Sequence, residues 1–390
     1  MFFRYGFDSS QARQTVRWGR FSGPEFALKK RANRAGPGAW RAVIIRACLA
    51  FFFAFLPVKI LHILLTETPL PPLRYGGTER VMWALSLGQQ ALGHEARFLV
   101  RANPAGHPAA QVFDAARPLE AQIEGWADVL HFHWPYDNAR GLVRTPYVCT
   151  EHANRSSRQP YPVNTIFLSQ KHARIHGAQC HVYNGLHWPD YGEPNLNAPP
   201  PAARYAHYLA KAANRNKNLQ GAVRIARRAA LPLHVMGGRR WSLKSNFYFY
   251  AGRDVRFHGM AGGEHKLELI RRSSALLFPV LWHEPFGLAI IESLYLGCPV
   301  IATPYGSLPE LVSEETGFLS DSESALAQAL AGAGRFDRRA CHESVKRRFS
   351  HLAMARAYQQ CYERVLAGEA LNPAPPVAQG LEPVPRRLRA

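Results

Sequence analysis

His283-Glu284-Pro285-Phe286-Gly287-Leu288-Ala289-Ile290-Ile291-Glu292 is the stretch on which the reading of this chain turns. Pro285 suits the first turn of a helix, because it lacks the amide hydrogen that would be orphaned there. Gly287 lets backbone come close to a ligand. The helix start offers free amide groups at Phe286, Gly287 and Leu288 and the positive end of its dipole, a natural site for phosphate. Glu284 stands just before it and can accept hydrogen bonds from sugar hydroxyls. Glu292, about two turns on, can accept both hydroxyls of a ribose. A capping carboxylate and a solvated helical glutamate would give the same spelling, so the pair needs its context.

Outward from this stretch, apolar runs alternate with helical patterns. Ala275–Pro279 and Pro299–Ala302 read as buried strands on either side of it, and Arg204–Leu209, Leu233–Met236 and Val255–Phe257 as earlier ones. Helices are expected over Asn218–Ala230 and Glu264–Ser273. An equivalent series precedes it: strands Lys59–Leu65, Ala96–Val100, Asp128–Phe132, Pro146–Thr150, Thr165–Leu168 and His181–Tyr183, with a helix opening at Thr78 and closed by Gly93. Strand–helix alternation of this kind builds a parallel sheet with crossover helices. The fold class is therefore α/β, two doubly wound Rossmann-like domains facing a central cleft. The expected divisions are 58–194 for the first domain, 195–203 (Pro-rich and polar) for a linker, 204–348 for the second domain, and 349–367 for a last amphipathic helix capped by Ser350 and packing back on the first domain. Residues 368–390, rich in proline from Asn372 onward, read as a disordered tail.

Composition narrows the class. With 390 residues, 47% of them hydrophobic, the chain can bury a substantial core. Its six Cys form no CxxC pair, which argues against a zinc ribbon, a thioredoxin-type site or a disulfide scaffold. The net charge of +20 raises a nucleic-acid reading. No stretch of the body interleaves basic and aromatic residues as a single-strand binder would, so no nucleic-acid partner is expected. A basic surface equally suits nucleoside diphosphates or the inner leaflet of a membrane. Residues 1–57 differ from the rest: basic first, then almost wholly apolar from Ala47 to Val58. That run is shorter than the ~20 residues of a bilayer span. It reads as an extension outside the working domains, with a membrane-surface anchor as the second reading.

These motifs together resemble those of a known family. The Glu-x7-Glu element with Glu-Pro-Phe-Gly, followed by Gly297-Cys298-Pro299-Val300-Ile301-Ala302, is similar to that of the retaining family-4 glycosyltransferases of the GT-B fold. Tyr75-Gly76-Gly77-Thr78-Glu79-Arg80 resembles the family's glycine-rich loop, and Asp128-Val129-Leu130-His131-Phe132-His133 its strand ending in His-x-His. Tyr183-Asn184-Gly185, Gly306-Ser307-Leu308-Pro309-Glu310 and Thr316-Gly317-Phe318-Leu319 resemble further family turns. The resemblance runs from about Val58 to Leu366.

The resemblance implies transfer of a sugar from a nucleotide diphosphate sugar to a hydroxyl acceptor with retention, in envelope polysaccharide or glycolipid (lipopolysaccharide) synthesis. It implies His133, Glu284 and Lys217 as catalytic residues. Lys211, Lys217, Gly76, Gly77, Phe286, Gly287 and Leu288 would hold the donor phosphates, and Glu292 the ribose. Where the family has Gly-Arg, this chain has Ala210-Lys211, a point charge in place of a bidentate fork. No Asp-x-Asp spacing stands where a divalent ion would be needed, so a metal-independent reaction with no cofactor is expected, the nucleotide sugar being a substrate. Expected partners are that donor and a glycan or glycolipid acceptor, in the cytoplasm, with peripheral contact to the inner face of the membrane. A non-catalytic or epimerase-like GT-B protein that binds sugar nucleotides is the alternative.

Overall fold

The computed structural model describes residues 57–72, 76–155, 158–194, 196–197, 204–242, 247–380, 384 and 387–389. The chain divides into residues 1–56 and residues 57–390, and all the described residues belong to the second unit. The expected N-terminal extension and most of the expected linker lie outside the described residues.

The first domain contains β1 (Lys59–Leu64), α1 (Gly77–Ala91), β2 (Glu95–Val100), β3 (Ala110–Val112), α2 (Glu120–Ile123), β4 (Val129–Phe132), β5 (Tyr147–Thr150), β6 (Thr165–Ile166) and α3 (Gln170–Ile175). Its sheet is parallel in the order β3-β2-β1-β4-β5-β6. The second contains β7 (Ala206–Leu209), α4 (Leu219–Arg228), β8 (Leu233–Met236), the hairpin β9 (Trp241–Ser242) and β10 (Tyr248–Phe249), β11 (Val255–Phe257), α5 (Gly263–Arg271), β12 (Ala275–Phe278), α6 (Leu288–Tyr295), β13 (Val300–Ala302), α7 (Leu308–Leu311), β14 (Gly317–Leu319), α8 (Glu323–Ala331) and α9 (Arg338–Lys346). Its sheet, β11-β8-β7-β12-β13-β14, repeats the first order strand for strand. In both, the order reverses beside the first strand, which opens a crevice at the carboxyl edge.

Strands covered by helices on both faces need no polar face. β12 is buried along its whole length, as is β4. α10 (His351–Leu366) begins at Ser350, whose hydroxyl accepts the Ala353 amide at 3.1 Å, and lies on α1 of the first domain. Met354, Tyr358 and Tyr362 share a core with Ile60, Val129 and Val148. Gly88 makes that packing close: a Cβ there would stand 2.5 Å from the His351 carbonyl oxygen. A second core joins the two domains, since Leu168 and Leu186 cluster with Phe278, Phe286 and Ile290.

The structure corrects the expected tail. Leu371 and Asn372 are buried. The Asn372 side chain accepts the amides of Gln179 and Cys180 and donates to the carbonyls of Val163 and Thr165, at 2.8–3.0 Å. The Tyr161 amide donates to the Pro376 carbonyl at 2.8 Å. The prolines pre-set an extended path along the domain surface rather than release the chain from it.

Candidate active site

A cavity of about 520 Å³ lies between the carboxyl edges of the two sheets. Gly76, Gly77, Arg80, His152 and Asn184 line it from the first domain; Lys211, Lys217, Lys266, Glu284, Gly287, Leu288 and Glu292 line it from the second.

Lys217 is positioned by the loop after β7. Asn218 adopts a left-handed backbone (φ 51°). Its side chain accepts the Gly221 amide at 3.0 Å, capping α4, and donates to the Pro279 carbonyl at 2.9 Å. The Tyr208 hydroxyl donates to the Lys217 carbonyl and the Leu281 amide to the Asn216 carbonyl. Thus fixed, the Lys217 ammonium lies 2.5 Å from Glu284 Oε2 and over the rings of Trp282 and Phe278. Trp282 Nε1 donates to the same oxygen at 2.7 Å. Lys211 is exposed at the rim of the cavity, whereas Lys217 is engaged in its wall.

Glu284 is held from behind. Its backbone bridges Gly306, where a Cβ would lie 2.3 Å from the Glu284 amide nitrogen and carbonyl oxygen; only glycine fits, at φ +68°. The Ser307 hydroxyl donates to the Phe286 carbonyl at 2.5 Å. The turn at Gly306-Ser307 therefore shapes the loop that carries Glu284. From the first domain, Ser169 donates to the Pro285 carbonyl at 2.8 Å and Asn154 to the His283 carbonyl. Glu310 accepts the amides of Gln170 and Lys171 and the Tyr183 hydroxyl, so a second-domain carboxylate caps a first-domain helix.

Pro285 is not in the first turn of the helix. Gly287, at φ +102°, is the cap and α6 begins at Leu288, because the left-handed residue redirects the chain after Pro285. Leu288 faces Gly77 across the cavity, with its Cδ1 3.6 Å from where a Gly77 Cβ would be. Gly76 caps α1 at φ +150°, with Glu79 and Thr68 against it. The Phe286 ring is turned into the core toward Tyr183 and Phe349.

Glu292 is buried with its own partners. Lys266 Nζ donates to Oε1 at 2.8 Å and the Tyr191 hydroxyl to the same oxygen at 2.5 Å. Burial alone would raise its pKa; the charges of Lys266 and Arg80 and the two hydrogen bonds outweigh that and hold it below the usual carboxylate value.

The structure also corrects the place of His133. It is buried behind the wall, 5% exposed, and does not line the cavity. The imidazole that does is His152, at the end of the neighbouring strand β5. β4 stops one residue before His133, and the ring turns into the sheet, where its Nδ1 lies 3.2 Å from His152 Nε2. His62, His131 and His133 bring ring nitrogens within 4.8 Å of one another, which raises a cation site. The His131 and His133 rings are stacked at 4.3 Å, and both His131 nitrogens are engaged by Tyr362 and Thr150. Their lone pairs do not converge, so this donor set does not suit a metal ion.

Of the residues expected from sequence, Gly76, Gly77, Lys211, Lys217, Glu284, Phe286, Gly287, Leu288 and Glu292 all border one cavity, and His133 does not. Arg80, His152, Trp282, Tyr191 and Lys266 join the site only in three dimensions. His152 carries a usable signal, since Thr150-Glu151-His152 leaves a strand end just as His133 does. Lys266 carries none, sitting among polar neighbours in an ordinary helical stretch.

Two Rossmann-like domains of matching strand order, meeting over a ligand-sized cavity, define the GT-B architecture. Residues 206–333, within the second domain, match the family model described as Glycosyl transferases group 1. A D-inositol 3-phosphate glycosyltransferase of Streptomyces griseus is 40% identical over 83 residues, 21% of this chain and 17% of that protein. One from Streptomyces avermitilis is 38% identical over 76 residues, 19% of this chain and 16% of that protein. The matched stretch thus spans about a sixth of these relatives' length. Among solved structures, a glycosyltransferase involved in avilamycin A biosynthesis aligns with TM-score 0.64 and 21% identity, over 80% of this chain and 99% of that one. Sucrose-phosphate synthase from Thermosynechococcus elongatus aligns at 0.62 and 18%, over 80% and 100%. Anabaena HepE in complex with UDP-glucose aligns at 0.61 and 17%, over 80% and 100%. No helix among the described residues is long and apolar enough to cross a membrane.

Proposed function

We propose that this protein transfers a sugar from a nucleoside diphosphate sugar to a hydroxyl acceptor, with retention at the anomeric carbon, in the cavity between its domains. The observation that carries the proposal is the Lys217–Glu284 pair, 2.5 Å apart in the cavity wall beside the first amides of α6. It offers a cation for phosphate and a carboxylate for sugar hydroxyls within one ligand's reach. The glycosyltransferase family match, the sugar-transferring relatives and the UDP-glucose complex of HepE support the same chemistry.

In this reading the bond between the anomeric carbon and the phosphate oxygen breaks, and its electron pair goes to the departing phosphate. Lys217, Lys211 and the amides at Gly287 and Leu288 receive that charge; one such donor is worth ~3–4 kcal/mol. Gly76 and Gly77 keep the facing wall free of side chains. Glu284 accepts from the sugar. Glu292, held by Lys266 and Tyr191 in the cavity wall, accepts from a ribose hydroxyl. His152, not His133, accepts a hydroxyl hydrogen bond at the transferred sugar. The acceptor oxygen attacks on the face the phosphate leaves, and its proton passes to a phosphate oxygen. The reaction balances without a cofactor. The net charge of +20 favours anionic, lipid-linked acceptors, and so an envelope glycan made at the cytoplasmic face of a membrane.

The test is a screen of UDP-, GDP- and ADP-sugars for thermal stabilisation, followed by transfer assays with the best donor. Lys217→Ala and Glu284→Ala should each abolish the stabilisation. Undiminished shifts in both variants would reject the site.

A further inference from the structure

Three imidazoles and an amide form one hydrogen-bonded chain from the interior of the first domain to the cavity. Gln89 Oε1 lies 2.8 Å from His62 Nε2, His62 Nδ1 3.1 Å from His133 Nε2, and His133 Nδ1 3.2 Å from His152 Nε2. Gln89, His62 and His133 are buried, and of the four only His152 lines the cavity.

The proton positions along this chain follow from one end. An amide oxygen cannot donate, so His62 carries its hydrogen on Nε2 and its Nδ1 is a lone pair. His133 must then donate from Nε2, which leaves its Nδ1 as acceptor. His152 must donate from Nε2 in turn, and its lone pair is on Nδ1. The amide of Gln89 also reaches α10, its Nε2 donating to the Tyr362 hydroxyl at 3.0 Å. That hydroxyl is 2.9 Å from His131 Nδ1, whose Nε2 reaches Thr150 Oγ1 at 2.7 Å. Burial keeps the rings neutral: it lowers His62 and His152 to about 4, and it lowers His133 well below its usual value together with the neighbouring imidazoles.

We propose that Gln89, His62 and His133 are positioning residues that fix the tautomer and ring orientation of His152, so that the cavity is presented with a neutral acceptor nitrogen. The chain ends in an amide, not a carboxylate. A carboxylate would stabilise an imidazolium and make His152 a base; an amide cannot take a proton onward. His152 therefore serves as a hydrogen-bond acceptor for a hydroxyl and not as a proton sink. The functional part of this inference rests on the proposed sugar transfer; the wiring of the chain does not.

Two measurements test it. Long-range nitrogen-15 spectra of the full-length protein should show His62, His133 and His152 as Nε2–H tautomers, with scalar coupling across both N–H···N bonds. A Nδ1–H form of His152, or no coupling, would overturn the proposal. For function, the sugar nucleotide giving the largest thermal shift is used as donor. Gln89→Leu and His133→Asn should each lower kcat/KM about fivefold in the natural background and less than twofold when combined with His152→Ala. An equal loss in both backgrounds would mean that Gln89 and His133 act through packing, and would sink the positioning role. If His152→Ala itself leaves turnover unchanged while the natural protein shows the couplings, the wiring stands and the functional reading of the cavity fails.

Discussion

Glu292 stays ionised in a buried site only because Lys266, Tyr191 and Arg80 surround it. Removing one partner of a buried pair leaves the other charge uncompensated. Lys266→Met should therefore destabilise the protein by ~3–5 kcal/mol, read from the urea midpoint at neutral pH. Adding Glu292→Gln should restore part of the loss, because the buried carboxylate that has lost its Lys266 partner is then neutral. A double variant as unstable as the sum of the two singles would mean that the pair is not coupled. The same residues mark the limit of reading at this scale. Glu284, Glu292 and Lys217 are legible because their spacing and neighbours carry chemistry. Lys266, Tyr191 and Trp282 are not, since a buried lysine or a buried tyrosine behind the cavity wall is spelled like any other. His133 escapes a reading from sequence for a related reason: strand ends name the sheet edge a residue occupies, but not which way its ring turns once the strand has stopped.

Whole elements are easier to read than their exact limits. Parallel strands buried on both faces are continuous apolar runs, so β1, β4, β8, β12 and β13 stand out in the sequence. The three-residue edge strand β3 and the two-residue strands of the β9–β10 hairpin have too little pattern to show. The segment after α10 reads wrongly as a loose tail because proline content alone does not separate one from an extended strap. Asn372 decides the matter through four hydrogen bonds to the first domain. Asn372→Ala should strip those groups of their partners and cost about 2–3 kcal/mol. It should also speed limited proteolysis within residues 371–380, which can be followed by mass spectrometry. Cleavage and melting unchanged from the natural protein would mean that the strap contributes nothing to the fold.

At the scale of the whole molecule, the sequence implies two like domains, and the structure gives them one strand order, 3-2-1-4-5-6 within each sheet, twice over. It also shows what joins them: a shared apolar core, the Glu310 cap on α3 and the passage of α10 onto the first domain. An assembly this full of buried imidazoles has a marked pH response. His62 and His152 are lowered by burial to about 4, and His172 and His207 to about 3, from an ordinary value of 6.5. Between those values the unfolded chain binds protons that the folded one refuses. By linkage, stability is flat above about pH 7 and falls as the pH drops from 6.5 toward 4, by about 2 kcal/mol per such histidine at pH 5. Glu292 acts in a lower window. Its pKa is depressed, so its contribution is present above the ordinary carboxylate value and is lost only as pH falls further. Urea unfolding at a series of pH values should thus show a steep loss between about 6.5 and 4.5, before carboxylates protonate. His207→Gln should make that slope shallower by about one proton, whatever it does to stability at neutral pH. A slope in the variant equal to that of the natural protein would show that His207 takes its proton in the folded state after all, and that the buried imidazoles do not set the acid limit of this fold.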